Sequence, residues 1–182
     1  MKEYSDAIRE KDHVEAVDAM ADTFVVASFL MYMFFGEKFS EEFLNTQVGD
    51  RFNDDPHESF LASRESMDTP EQMAFYVAAI TRQARDSLNK TSYRGQEALL
   101  EVLRSNDSKF PKTSTLEEAW EMDIELAVEE EKKWIQQNRG YGVVTSQYNK
   151  EHDVFIFHDV NGKIMKPSTF SEANIAAIVK GE

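Results

Sequence analysis

Apolar positions in the first part of the chain recur with the spacing of helices. Residues 2 to about 10 form a short amphipathic pattern that stops at a run of polar residues. Asp12 follows, with Glu15 three residues later, which is the spacing of a helix-capping box. We therefore predict a short helix over residues 2–10 and a long helix over residues 13–35 that ends at Gly36.

The predicted long helix has two unlike halves. Its first half is amphipathic and carries Glu15, Asp18 and Asp22 on one narrow face, because residues three and seven positions apart align along a helix. Beyond these acids the same face is apolar. Its members there are Val26, Phe29 and Met33. Since this second half is apolar on every side, we expect other helices or a partner subunit to enclose it.

Periodicity is weaker in the middle of the chain. Residues 37–67 are polar and contain an Asn-Asp-Asp-Pro turn signal, so we predict a loop and a short helix there. Thr69 and Pro70 have the pattern of a helix cap followed by a first-position proline, and they open a predicted helix that runs to about Leu88. A further short helix is predicted over residues 96–104.

A longer, acidic helix is predicted next. Ser114 and Glu117 have capping-box spacing, and the helical pattern that follows them continues to about Asn138 and ends at Gly140. Most of its outer face is acidic.

The hydrophobic period changes from helical to two near the C-terminus. We predict short strands over residues 141–148 and 154–158, with Asn161 and Gly162 as the turn into a segment that returns along the second strand. Ser171 is predicted to cap a last helix. The predicted fold is mainly α, a helical bundle with a small C-terminal antiparallel β-hairpin.

The amino-acid composition disfavours several classes of protein and of functional site. The 182 residues match one domain, and a net charge of −14 disfavours a nucleic-acid reader, a class that is usually basic. The absence of cysteine excludes disulfides, thiolate nucleophiles and zinc-thiolate sites. The longest apolar run, residues 23–35, is shorter than the roughly 20 residues of a membrane helix. We expect a cytoplasmic protein with no membrane partner and no direct nucleic-acid binding.

The acidic stripe of the long helix is a candidate metal site. Neighbouring carboxylates repel one another unless a cation neutralises them, and Mg²⁺ prefers oxygen ligands. Two further acids three residues apart on the first helix are candidates for the facing side. The candidate metal ligands are Glu3, Asp6, Glu15, Asp18 and Asp22. The alternative is a solvated helix face on which Glu15 only completes the capping box.

Three separated segments resemble one known family. Residues 8–26 read IREKDHVEAVDAMADTFVV and resemble the second acidic helix of the MazG-like, or phosphoribosyl-ATP pyrophosphohydrolase-like, family of phages and bacteria. Residues 101–109 read EVLRSNDSK and are similar to that family's Arg-Ser-Asn-x-Ser-Lys signature. Residues 161–167 read NGKIMKP and are similar to its closing Asp-Gly-Lys-x-x-Lys-Pro segment. The order along the chain is also that of the family.

The resemblance implies an all-α pyrophosphohydrolase that cleaves a (deoxy)nucleoside triphosphate or related nucleotide between its α and β phosphates. It implies Mg²⁺ as cofactor, with Mn²⁺ as a possible substitute, and location in the host cytoplasm if a phage encodes the chain. The implied catalytic acids are Glu15, Asp18 and Asp22, and the implied substrate-binding residues are Asn106, Lys109, Lys163 and Lys166. The apolar half of the long helix adds a homodimer or higher homo-oligomer to these expectations.

The chain also departs from the family pattern. The adjacent glutamates that open the family's first motif are absent, Ala19 stands where many relatives have glutamate, and about 37–94 and 111–150 are insertions in one domain spanning 1–182. Glu117, Glu118 and Glu121 have the spacing of the missing motif but follow the second one. A second hypothesis is therefore a catalytically inactive acidic interaction protein on the same fold, a DNA mimic or inhibitor of a host enzyme, which would use its acid-lined helix over residues 116–131.

Overall fold

The computed structural model describes residues 2–45, 69, 77, 79–82, 84–86, 88 and 94–181. The chain divides into two compact units. The first unit contains the described residues up to Val102 together with those from Asn174 onward, and the second contains Leu103–Ala173.

The first unit begins with two helices that confirm the predicted N-terminal pair. They are α1, Lys2–Glu10, and α2, His13–Asn45. Lys11 has a left-handed backbone, with φ of 59°. The Lys11 amide donates to the Ile8 carbonyl at 3.2 Å and the Asp12 amide to the Ala7 carbonyl at 2.9 Å, which is the paired closure of a Schellman motif. The chain therefore reverses within two residues, and α1 packs against α2.

The predicted helix end at Gly36 is a break inside α2. Gly36 has φ of 73° and ψ of 172°, a conformation that no helix accommodates and that glycine adopts without a Cβ penalty. Helical backbone resumes after it and continues to Asn45, within the stretch where a loop and a short helix were predicted.

Small side chains form the buried face of α2. They let neighbouring helices approach closely, and α1 and a short C-terminal helix, α6, Ile175–Lys180, both pack against α2. The buried residues of the first two helices are Ser5, Ala7, Ala16, Val17, Ala19, Met20, Ala21, Ala27 and Met31. Glu15 and Asp22 lie away from this face and are exposed, whereas Asp18 is half-buried.

The helix predicted to open at Thr69 is only partly described. Thr69 lies in a bend, and residues 77, 79–82, 84–86 and 88 are helical, whereas Pro70 and the rest of the predicted first turn lie outside the described residues. The next predicted helix is α3, Gly95–Asp107, which is longer than expected at its C-terminal end.

The single helix predicted from Ser114 is wrong. The second unit instead has α4, Thr113–Trp120, and α5, Ile124–Arg139. Glu121 ends α4 in a left-handed conformation with φ of 52°, so the backbone leaves the helical path there. The predicted capping box is also wrong, because Lys112 is the N-cap and Ser114 lies inside the first turn.

Two strands follow α5. Strand β1, Thr145–Asn149, pairs antiparallel with β2, Val154–His158, and Thr145 faces His158 in the register. The β1 strand is shorter than the predicted 141–148. The predicted turn at Gly162 forms with φ of 77°, and its return segment makes a single bridge between Ile164 and His158.

The core of the second unit lies between its two helices and the hairpin. Its buried members are Leu116, Ala127, Val128, Ile135, Val144, Phe157 and Met165. The mainly α fold with a small C-terminal antiparallel hairpin is confirmed. Among the described residues, none of the helices combines the length and apolar character needed to cross a bilayer.

The cap of α6 differs from the prediction. The Asn174 side chain accepts a hydrogen bond from the Ala177 amide at 3.3 Å, so Asn174 is the N-cap. Ser171 lies upstream, where its amide donates to the Ser108 hydroxyl at 3.0 Å. A serine near a helix start thus serves a loop contact instead of the helix.

Candidate functional site

Three of the predicted acidic ligands act on a fourth, Asp18, in the first unit. Asp18 is half-buried on α2, and its pKa is raised from 3.8 to about 6. Burial is the largest cause, and the negative charges of Asp22, Glu15 and Glu3 add to it in that order. We call Glu3, Glu15, Asp18 and Asp22 the acidic cluster. Three of its members come from α2, whereas Glu3 comes from α1 and is brought there by the tight turn at Lys11.

Asp6, the fifth predicted ligand, is engaged elsewhere. Its carboxylate accepts a hydrogen bond from the Arg9 guanidinium at 3.1 Å, one turn along α1. It is not among the charges that raise the pKa of Asp18. Asp6 therefore forms a local ion pair on α1.

Glu15 is not needed to complete the predicted capping box. The Glu15 amide donates to the Asp12 carboxylate at 3.0 Å, which confirms Asp12 as a side-chain cap of α2. The reciprocal half would require the Asp12 amide, but that amide already donates to the Ala7 carbonyl. The Glu15 side chain is exposed and contributes its charge to the acidic cluster.

The acidic cluster is suited to a cation by its chemistry rather than by a closed cage. In the part of the chain that the structure describes, no three acidic or histidine side chains form a group that could hold a metal ion. Mg²⁺ is commonly bound by only one or two carboxylates, with waters and substrate phosphates completing its octahedron. Asp18 and Asp22, one helical turn apart on α2, meet that smaller requirement.

The second unit holds the predicted substrate-binding residues. The Lys109 ammonium donates to the Asn106 side-chain oxygen at 2.5 Å at the end of α3. Ser108 binds the Ser171 amide, and the Arg104 guanidinium donates to the Glu172 carbonyl at 3.0 Å. The end of α3 is therefore fastened to the segment that follows the C-terminal turn.

Lys166 and Lys163 lie on that later segment, each against an aromatic ring. The Lys166 ammonium is 4.3 Å from the centre of the Phe170 ring and 3.8 Å from the Glu172 carboxylate. The Lys163 ammonium is 5.6 Å from the centre of the Tyr141 ring. Residues 104–109 and 163–172, which overlap two of the segments that carry the resemblance, are thus joined within one compact unit.

The acids of helix α5 in the second unit present less free negative charge than the sequence indicates. On α5, Glu129 pairs with Lys132, and the Lys133 ammonium lies 2.5 Å from the Glu130 carboxylate, which raises the pKa of Lys133. Outside α5, the acids with the spacing of the missing motif are exposed. They are Glu117, Glu118 and Glu121.

Glu131 is a residue that the sequence analysis missed. Its side chain is fully buried in the core of the second unit and accepts hydrogen bonds from Trp120 and Ser168. A signal was present, because Glu131 occupies the helical spacing of Val128 and Ile135, both buried. An acid at an apolar position of a helix indicates a buried polar contact.

Comparison of the chain with models of protein families, with curated proteins and with solved structures finds no match in any of the three. The functional argument accordingly rests on the residues and on the sequence resemblance.

Proposed function

We propose that this protein is a Mg²⁺-dependent nucleotide pyrophosphohydrolase that cleaves a (deoxy)nucleoside triphosphate or related nucleotide to a monophosphate and pyrophosphate. The observation that carries the proposal is the half-buried Asp18 of α2, whose pKa is raised by burial and by the charges of Asp22 and Glu15 on the same helix and of Glu3 on α1. We place the activity in the cytoplasm, that of the host if a phage encodes the chain.

Electrostatics supports a cationic ligand at the acidic cluster. Asp18 is partly removed from water beside three like charges, an arrangement that opposes its ionisation. Protonation relieves the repulsion, and so does a divalent cation. In a nucleotide enzyme a divalent cation would relieve the repulsion between the carboxylates, because nucleotides bind such ions through their phosphates.

The acidic cluster would bind Mg²⁺ mainly through Asp18 and Asp22. When bound there, the ion supplies charge neutralisation at the phosphates and lowers the pKa of a coordinated water. Glu15 and Glu3 add negative potential around the ion. This division of roles needs only carboxylates, which fits a chain without cysteine.

The sequence resemblance assigns the binding of phosphate oxygens to three lysines. Each of them is a compact ammonium donor. The ammonium of Lys109 binds an amide oxygen, and that of Lys163 lies against an aromatic ring. The ammonium of Lys166 lies near an exposed carboxylate and a second aromatic ring. A phosphate is a stronger partner for an ammonium group than any of these. We assign substrate binding to these three lysines together with Asn106.

The decisive experiment measures product formation. The protein is incubated with canonical and modified nucleoside and deoxynucleoside triphosphates plus Mg²⁺, and monophosphate and pyrophosphate are quantified. We expect turnover of at least one nucleotide, its loss in Asp22→Asn with little loss of stability, and its retention in Glu10→Gln. Glu10 is a matched control, because it is an exposed acid of α1 outside the acidic cluster.

Two results would contradict the proposal. Full activity of Asp22→Asn would remove the metal assignment. Absence of turnover on every nucleotide, together with no rise in thermal stability on adding Mg²⁺, would favour the second hypothesis of an acidic interaction protein.

A further inference from the structure

The Glu131 carboxylate is bonded at both oxygens in the core of the second unit. One oxygen accepts from the Ser168 amide at 2.6 Å. The other accepts from the Trp120 indole at 2.8 Å and from the Ser168 hydroxyl at 2.5 Å. Trp120 ends α4 and Glu131 lies in α5, so a single side chain connects two helices with the segment after the C-terminal turn.

The surroundings of Glu131 call for a carboxylate rather than an amide. A glutamine has one accepting oxygen and one donating nitrogen. With its oxygen toward the Ser168 amide, its nitrogen would face the indole N–H of Trp120. With the opposite orientation, its nitrogen would face the Ser168 amide. Either way two donors oppose each other and one of the present contacts is lost.

Burying the Glu131 carboxylate costs free energy, so the stability of the core does not explain why a carboxylate lies there. A buried carboxylate without a cation is tolerated only when hydrogen bonds replace its hydration, and an apolar side chain fills such a position with less penalty. What a carboxylate provides that an apolar residue does not is directional attachment of a backbone amide. The attached amide belongs to Ser168, two residues from Lys166.

Lys166 is held between anchored neighbours. On one side Met165 is buried and its amide donates to the Phe157 carbonyl at 2.8 Å. On the other side Pro167 is buried, and Ser168 is bonded twice to Glu131. The backbone of Lys166 is therefore fixed from both directions, while its own side chain is only half-buried.

We propose that Glu131 is a positioning residue that fixes the backbone beyond Lys166 and so presents the Lys166 ammonium to the phosphates of the nucleotide. This inference rests on the proposed function. Glu131 touches neither substrate nor metal in this role, because its carboxylate is fully buried.

The test compares Glu131→Gln with Glu125→Gln in the full-length protein. Glu125 is an exposed acid on the same helix and serves as the matched control. We expect Glu131→Gln to raise the KM of the hydrolysed nucleotide about five- to tenfold with kcat nearly unchanged, since ground-state contacts to phosphate are weakened. Hydrogen exchange should become faster at the Ser168 amide or the Trp120 indole, but not within α5. Glu125→Gln should match the wild type in each respect.

A double-mutant cycle separates positioning from general destabilisation. If Glu131 acts through Lys166, Glu131→Gln should change KM little further in a Lys166→Ala background. Trp120→Phe removes the hydrogen-bond donor to Glu131 that lies outside the segment of Lys166 and Ser168. This variant should leave KM unchanged. If Glu131→Gln does not fold, Ser168→Ala takes its place, with a smaller rise in KM that is also absent in the Lys166→Ala background.

The failures are distinguishable. A wild type that hydrolyses nothing overturns the proposed function and this inference with it. An active wild type whose KM is unaffected by the substitution at Glu131, or whose KM responds equally with and without Lys166, overturns the inference alone. So does unaltered hydrogen exchange at both Ser168 and Trp120 in Glu131→Gln.

Discussion

At the scale of single residues, Asp18 links the stability of the protein to pH. Its pKa is 3.8 in an unfolded chain and about 6 in the folded protein, so the folded state holds the proton more tightly. Between these two pH values the folded protein binds more protons than the unfolded chain, and the free energy of unfolding falls as the pH rises. Above about pH 6 the full penalty of the charged, half-buried carboxylate remains.

We predict that Asp18→Asn stabilises the metal-free protein at neutral pH. A shift of roughly two pH units corresponds to about 3 kcal/mol at full weight, which water at a half-exposed group reduces to about 1 kcal/mol. The advantage of the variant should be smallest near pH 4, increase up to about pH 6 and stay constant above. Urea unfolding from pH 4 to 8 measures it.

The control for this prediction is Glu10→Gln, which removes an acid outside the acidic cluster and should show no such pH dependence. A loss of stability in Asp18→Asn at pH 8 would mean that the carboxylate is favourably bonded there, contrary to the sign of its pKa shift.

At the scale of secondary-structure elements, the start of α3 depends on a close backbone approach. A Cβ added at Gly95 would lie 2.1 Å from the Leu88 carbonyl oxygen and 2.6 Å from its carbon. Both are backbone atoms, which a rotamer change does not move. Glycine at this position is required by space, and not by a left-handed backbone.

We predict that Gly95→Ala destabilises the protein by about 1–3 kcal/mol, the range typical of overpacking that forces the backbone to shift. Gly142→Ala is the matched control, since nothing lies within 4 Å of an added Cβ there and its φ is not positive. Chemical denaturation of both variants measures the difference. Equal stability of the two would show that α3 and Leu88 separate at little cost.

The start of α2 was predictable from its side-chain cap, whereas the side-chain cap of α6 at Asn174 was missed in favour of Ser171. Asp12 was identified from spacing alone, and its carboxylate does cap α2. The break between α4 and α5 was not predictable in this way, because the apolar period continues across it. The break is carried by the left-handed backbone of Glu121, which no local residue preference demands. Ser114 then fits a capping pattern without occupying the cap.

The acidic cluster was partly predictable, because three of its members depend only on spacing along one helix. Glu15, Asp18 and Asp22 share one helix, so helical spacing is sufficient to align them. The participation of Glu3 depends on the turn at Lys11, and Asp6 is drawn away by its neighbour Arg9, which spacing alone does not reveal. Contacts between elements, such as those of Glu131, need the packed structure.

At the scale of the whole molecule, not every acid behind the net charge of −14 presents an unpaired charge to solvent. Several acids of α5 are neutralised within the helix or buried, among them Glu129, Glu130 and Glu131. An interaction protein that mimics a polyanion needs outward, unpaired charge along such a helix. Under the second hypothesis that charge would come from the exposed acids Glu117, Glu118, Glu121 and Glu125.

The last prediction concerns association. The face of α2 that carries the acidic cluster continues into large apolar side chains that are exposed in one copy of the chain: Val26 is 60%, Phe29 61% and Met33 65% exposed. A contiguous exposed apolar patch of this kind marks an interaction site. The partner that we propose is a second copy of the chain, so that the apolar half of α2 is covered in a homodimer or higher homo-oligomer.

We therefore expect light scattering to give at least the mass of a dimer at micromolar concentration, and Phe29→Glu to lower it to that of a monomer. Charge at the centre of an apolar interface must be desolvated without a partner, which is strongly unfavourable. Val143→Glu is the matched control, because Val143 is also 61% exposed but belongs to the second unit and not to α2, and its substitution should leave the mass unchanged. A wild-type monomer at these concentrations would contradict the prediction, and the exposed face of α2 would then need a partner other than the protein itself.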